Sequence, residues 1–178
     1  MFPGGGGGSG GRGVIMQDGG TLTNAGTISG GDGGAAGTGG TAPYGTGGAG
    51  IVGADISILN SGTISGGLAG DGITRADAIT FTGGVNRLGI ISGSLLVGTV
   101  DATADTDSTL ELSGDVDGTF DVSTIGDTAQ YRGFEYFAKT GTSTWRLTGT
   151  GAQNWFIQDG TLVGDTNSFG GNLEFAAG

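Results

Sequence analysis

Short β-branched stretches recur along the chain, each alternating apolar with polar residues and most running into a glycine. The strand-like segments run Asp55–Leu59, Ala78–Thr82, Ser94–Val97, Ser108–Leu112, Gly118–Val122, Thr144–Thr148, Gly160–Val163 and Gly171–Phe175. No helix-period pattern competes with them. The segment Thr23-Asn24-Ala25-Gly26-Thr27-Ile28-Ser29-Gly30-Gly31 returns 36 positions later as Leu59-Asn60-Ser61-Gly62-Thr63-Ile64-Ser65-Gly66-Gly67. A looser copy, Asn86 to Ser94, places Ile91 27 positions after Ile64. Alternation means one buried and one wet face, which an antiparallel sandwich and a stack of parallel coils both satisfy. The repeat decides between them, because in a solenoid equivalent positions stack about 4.8 Å apart, Asn on Asn and Ile on Ile. The fold class that follows is all-β, a right-handed parallel β-helix. Ile28, Ile64 and Ile91 are expected to form one buried ladder, with unequal loops absorbing the unequal spacing.

Composition divides the 178 residues unevenly. Residues 1–50 hold 22 of the 45 glycines, whereas nine of the 13 aromatics lie from Tyr131 onward. Three regions are expected: a mobile Gly-rich leader over 1–20, coils over 21–130 with a Gly-rich loop at 30–50, and aromatic-rich coils over 131–178. Aromatics bury the most area per residue, so the densest packing is expected in the last region, and folding is expected to start there.

The chain has neither cysteine nor histidine. That removes Cys/His metal sites, disulfides, cysteine nucleophiles and imidazole bases. Net charge is −11, with six scattered cations, a field that repels polyanions, so no nucleic-acid partner is expected. No apolar run approaches the roughly 18 residues of a membrane span, and Met1-Phe2-Pro3-Gly4 does not open a signal peptide. The chain reads as a piece of something longer.

Candidate chemistry is sparse. A phosphate loop needs a lysine after its glycines, but the single lysine, Lys139, stands between Ala138 and Thr140. The acidic run Asp101, Asp105, Asp107, Glu111, Asp115, Asp117, Asp121 and Asp127 has no calcium-loop spacing, since Leu110 stands where an EF-hand needs glycine. These carboxylates are read as turn and edge residues, and no metal or cofactor is expected. Asp115 and Asp117, read as two residues on one strand face, are compatible with inverting glycoside hydrolysis with Arg132 or Arg146 as partner, but nothing ties a second element to them. Trp145 alternates with Leu147 and is assigned to the core. Thr21/Thr23 and Thr80/Thr82 are too isolated for a repetitive ice-binding face.

The stretch Gly133-Phe134-Glu135-Tyr136-Phe137-Ala138-Lys139-Thr140-Gly141-Thr142-Ser143-Thr144-Trp145-Arg146-Leu147-Thr148-Gly149, followed by Gln158-Asp159-Gly160-Thr161-Leu162-Val163, resembles the C-terminal part of the passenger domains of type V autotransporters. The resemblance spans about Gly133 to Gly171. It implies a Gram-negative surface β-helix, exported through a C-terminal outer-membrane barrel, whose last coils act as an autochaperone. The expected function is thus a non-catalytic, surface-exposed passenger fragment with an adhesion or stalk role. It would act as a monomer on a host or cell-surface protein or glycan. A carbohydrate-active enzyme built on a β-helix is the alternative.

Overall fold

The computed structural model describes residues 4–38 and 42–177; residues 1–3 of the expected leader and 39–41 of the expected loop lie outside them. Every pairing between named strands is parallel, and no α-helix occurs among the described residues. The chain is a parallel β-helix with three walls. One wall stacks β1 (Val14–Met16), β4 (Ile51–Gly53), β7 (Ile79–Phe81), β10 (Val100–Asp101) and β13 (Tyr131–Arg132). The long wall stacks β2 (Gly20–Asn24), β5 (Ile56–Asn60), β8 (Val85–Ile91), β11 (Asp107–Ser113), β14 (Tyr136–Lys139), β16 (Trp155–Ile157) and β18 (Leu173–Phe175). The third wall is in two pieces. Its first piece is β3 (Thr27–Ser29), β6 (Thr63–Ser65) and β9 (Leu95–Val97), and its second is β12 (Gly118–Asp121), β15 (Thr144–Thr148) and β17 (Thr161–Val163). Near the break, Gln130 Nε2 donates to the carbonyls of Leu96 on β9 (2.7 Å) and of Gly98 just after it (3.3 Å).

Period-two alternation supplies the core. On the long wall Ile58, Leu88, Leu110, Phe137 and Trp155 stack in register facing inward, and Ile51, Ile79, Val100 and Tyr131 do so on the first wall. The repeated asparagines form the expected ladder: Asn24 Nδ2 donates to Asn60 Oδ1 at 2.7 Å, and Asn60 Nδ2 to Gly62 O at 2.9 Å across its corner. The isoleucine ladder needs one correction. Ile28 pairs with Ile64 as expected, but the third rung is Leu96, while half-buried Ile91 pairs with Ser113 on the long wall. Ile90 occupies the place of Asn60 in the third coil, so the strand there runs on past the two-residue Asn corner. The chain turns instead at Ser92-Gly93-Ser94, with Gly93 at φ +91, and the equivalent short strand begins at Leu95.

The two largest fully buried side chains, Trp145 and Trp155, lie after residue 131, but complete burial is not confined to that region. Ile51, Ile64, Ala78, Ile79, Leu88, Val100, Ala102, Leu110 and Leu112 are all fully buried in the middle coils, whereas Tyr136, Phe156 and Phe175 are exposed near the C-terminus.

A coil needs far fewer residues than the first repeat provides: Lys139 and Ile157 are register neighbours 18 positions apart, Asn24 and Asn60 36. The surplus in the first coil forms a glycine layer rather than a loop bulging from one coil. Gly7, Gly10 and Gly13 donate to the carbonyls of Pro43, Thr46 and Ala49, so these segments run parallel. Gly31, Gly34 and Gly37 donate to Gly11, Gly8 and Gly5, an antiparallel pairing, and Gly67 and Gly70 extend the layer through Gly48 and Gly45. Each bond set advances by three residues, the period of polyproline II. A Cβ at Gly7, Gly10, Gly30 or Gly45 would lie 1.9 Å from a carbonyl oxygen of the adjoining segment, so only glycine permits this approach. Third-place residues Asp32, Ala35 and Thr38 face solvent.

Candidate functional site

The coil written by Gly133–Gly149 is tied to both of its neighbours by two polar side chains placed in the core. Parity on β14 puts Phe137 and Lys139 inside and Tyr136 and Ala138 outside. Lys139 therefore lies in an otherwise apolar row between Leu112 and Ile157 and is fully buried. Its ammonium carries three donors and no acceptor, and it donates to the carbonyls of Thr140 (2.5 Å), Gly141 (2.6 Å) and, on the following coil, Asp159 (3.3 Å). Burial pulls its pKa down, opposed by the charges of Asp159 and Asp117. Trp145 on β15 is 2% exposed, and its Nε1 donates to Ser113 O of the preceding coil at 3.2 Å. Gly118 makes room for the indole, since a Cβ there would come within 2.8 Å of the ring. Gly133, Gly141 and Gly149 all have positive φ, at +74, +65 and +76, so the glycines of this stretch are the corners of the coil.

The acidic run does not converge. Asp101 accepts from Thr103, Asp117 from the Thr144 N–H at 2.7 Å, and Asp121 from the Ser123 N–H at 3.0 Å at the start of the 3-10 turn Val122–Thr124. Asp105, buried, accepts from Asn86 Nδ2 (2.6 Å) and Ser108 Oγ (2.5 Å). Glu111 pairs with Arg87, the one ion pair among the described residues, and accepts from Thr140 Oγ1. Asp101 and Asp121 close local turns, whereas Asp105, Glu111 and Asp117 bond across to neighbouring coils, and no three acidic residues gather into a metal-holding group among the described residues. Asp115 and Asp117 do not share a strand face: they sit in the turn between β11 and β12, because Gly114 at φ +93 ends the strand before them. Arg132 donates to Ala129 O and Arg146 lies on the outer face of β15, neither paired with these acids. Paired Thr27 and Thr63 end at Leu95, so this threonine row is two coils long.

No protein-family model, curated protein or solved structure matches the chain. The site therefore rests on its own geometry.

Tyr131 bears on alkaline stability. It is buried beside Phe120, with ring centroids 5.4 Å apart, and burial pushes its pKa up to about 12. The unfolded chain loses this proton near pH 10, the folded chain near pH 12, so between the two the folded state holds more protons. Stability is full below pH 10 from this group and falls as pH rises through the window, by about 3 kcal/mol in total. Lys139 acts with the opposite sign, since its lowered pKa makes stability rise with pH up to its ordinary value near 10.5. Tyr131→Phe is expected to remove most of the loss between pH 10 and 12 in denaturant melts. An unchanged alkaline slope would place that ring in water.

The sequence reading missed three features here. Lys139 breaks the apolar pattern of its row, so its interior place follows only from the parity of β14, the Gln130 bonds to Leu96 and Gly98 carry no periodic signal, and the outward Tyr136 and Phe156 follow from the parity that puts Phe137 and Trp155 inside.

Proposed function

We propose that this chain is a non-catalytic stretch of autotransporter passenger, displayed at the cell surface as a stalk or adhesive element, whose C-terminal coils start its folding. The observation that carries the reading is the Gly133–Gly149 coil, in which Lys139 and Trp145 bond the coils after and before it. A coil so tied can hold its shape before its upstream neighbours are ordered, and each of those then needs only a nearest-neighbour interface to add on. The absence of cysteine suits a chain that crosses an outer membrane unfolded, where a disulfide would obstruct passage. In this reading the membrane barrel belongs to the full-length protein. The carbohydrate-active alternative is less well supported, because Asp115 and Asp117 lie in a turn, Asp117 is bonded to the Thr144 N–H, Arg132 donates to Ala129 O, and Arg146 lies on the outer face of β15, with no ion pair joining either arginine to these acids.

The test is export. Residues 1–178, placed between a secretory signal peptide and an autotransporter barrel, are expected to reach the cell surface in protease-accessible, folded form. Lys139→Ala is expected to lower surface accumulation several-fold, because it empties a fully buried side-chain position and removes the ammonium donor from the carbonyls of Thr140, Gly141 and Asp159. A chain that stays inside the envelope, or a variant exported as well as the parent, would contradict the proposal.

A further inference from the structure

The outer face of the long wall carries a hollow of about 470 Å³ near its C-terminal end. Tyr136 and Phe156 line it, 55% and 42% exposed. Ala138 pairs in register with Phe156, and Tyr136 precedes Ala138 by two residues on the same strand. The two rings thus stand on a diagonal, about 7–8 Å apart at the backbone, with the Ala138 methyl and Asn154 lining the hollow beside them. Glu135, Asn154 and Glu174 complete the rim, and no lysine or arginine lines it. Glu174 lies beside Phe156 in register. Glu135 is held by the Ser108 N–H, which it accepts through Oε2 at 2.8 Å, leaving its other oxygen for a ligand. The nearest cation along this face, Arg87, is engaged by Glu111.

Two exposed aromatic side chains lining a shallow hollow, with carboxylates and no cation among its lining residues, are the chemistry that recognises an organic ammonium: ring faces attract the cation while the carboxylates balance its charge. The protein's net charge of −11 favours the same sign of ligand. We propose that this hollow binds organic cations of the quaternary-ammonium or methylated-amine class, the ammonium seated between Tyr136 and Phe156 against Ala138. The inference holds whether or not the chain is part of an exported protein.

The test is titration of the full chain with choline at constant ionic strength, followed by NMR or tyrosine fluorescence, with 3,3-dimethyl-1-butanol as the uncharged isostere and cellobiose as a neutral sugar. Choline is expected to bind with a dissociation constant on the order of millimolar and the isostere at least about fivefold more weakly. Tyr136→Ala and Phe156→Ala are each expected to weaken choline about fivefold, and Glu174→Gln to weaken it by less and reduce its salt dependence. All three side chains are exposed, so parental melting temperatures are expected and confirm folding. Equal binding of choline and the isostere, binding of cellobiose in place of choline, or choline binding unaffected by both aromatic substitutions would each overturn the proposal.

Discussion

Ile64→Asp is expected to destabilise the protein by about 5 kcal/mol, enough to unfold a domain of ordinary stability. Ile64 is fully buried on β6, with Ile28 on one side and Leu96 on the other in register. A carboxylate there has no cation to pair with, since the buried Lys139 is engaged by three carbonyls on later coils. The charge must be buried unpaired or neutralised, and either costs several kcal/mol. Ile64→Val removes one methylene and is expected to cost only about 1 kcal/mol. Denaturant melts of the two variants check both figures. A difference between them below about 1 kcal/mol would mean that position 64 touches water and that the coils do not enclose a dry core.

Asn24 and Asn60 stack as the repeat predicts because their side chains bond to one another and to the backbone two residues on, so spacing and corner geometry are one constraint. Ile91 failed for the same reason: Ile90 stands where Asn60 would, the corner moves downstream, and the rung passes to Leu96. The parity of each strand predicts Trp145 and Leu147 inside, and both are buried.

The bonding within the glycine-rich segments is not legible from hydrophobic pattern, in which glycine appears only as a chain breaker. Gly30-Gly31-Asp32-Gly33-Gly34-Ala35 carries a three-residue period, two glycines then one side chain. Each pair of glycine rows lets two neighbouring backbones approach, and the third row points to solvent. The stabilisation is backbone hydrogen bonding without side-chain burial, a signal that hydrophobic periodicity does not contain. At the candidate site, Lys139 breaks the apolar pattern of its own row, so its interior place follows only from strand parity and the corner carbonyls it meets.

We propose that the C-terminal coils hold the structure together and start its folding, although the driest packing lies upstream of them. Trp145→Ala tests it. The substitution leaves a cavity where the indole packed against Gly118 and deprives Ser113 O of its donor, and it is expected to cost about 3–5 kcal/mol. The size of the loss does not by itself separate a nucleus from any other core residue; its distribution does. In a stack of coils each unit is stabilised by its neighbours, so losing the unit that orders first lowers the protection of every coil built on it. The decisive measurement is native-state hydrogen exchange on the parent and on Trp145→Ala, read at amides of β5, β8 and β11 as well as β14 and β15. Protection is expected to fall by a similar amount on both sides of the substitution, with the upstream coils opening together with the C-terminal ones. Parental protection retained at β5 and β8, with opening confined to residues after Ser113, would contradict it and place the stable unit in the middle coils.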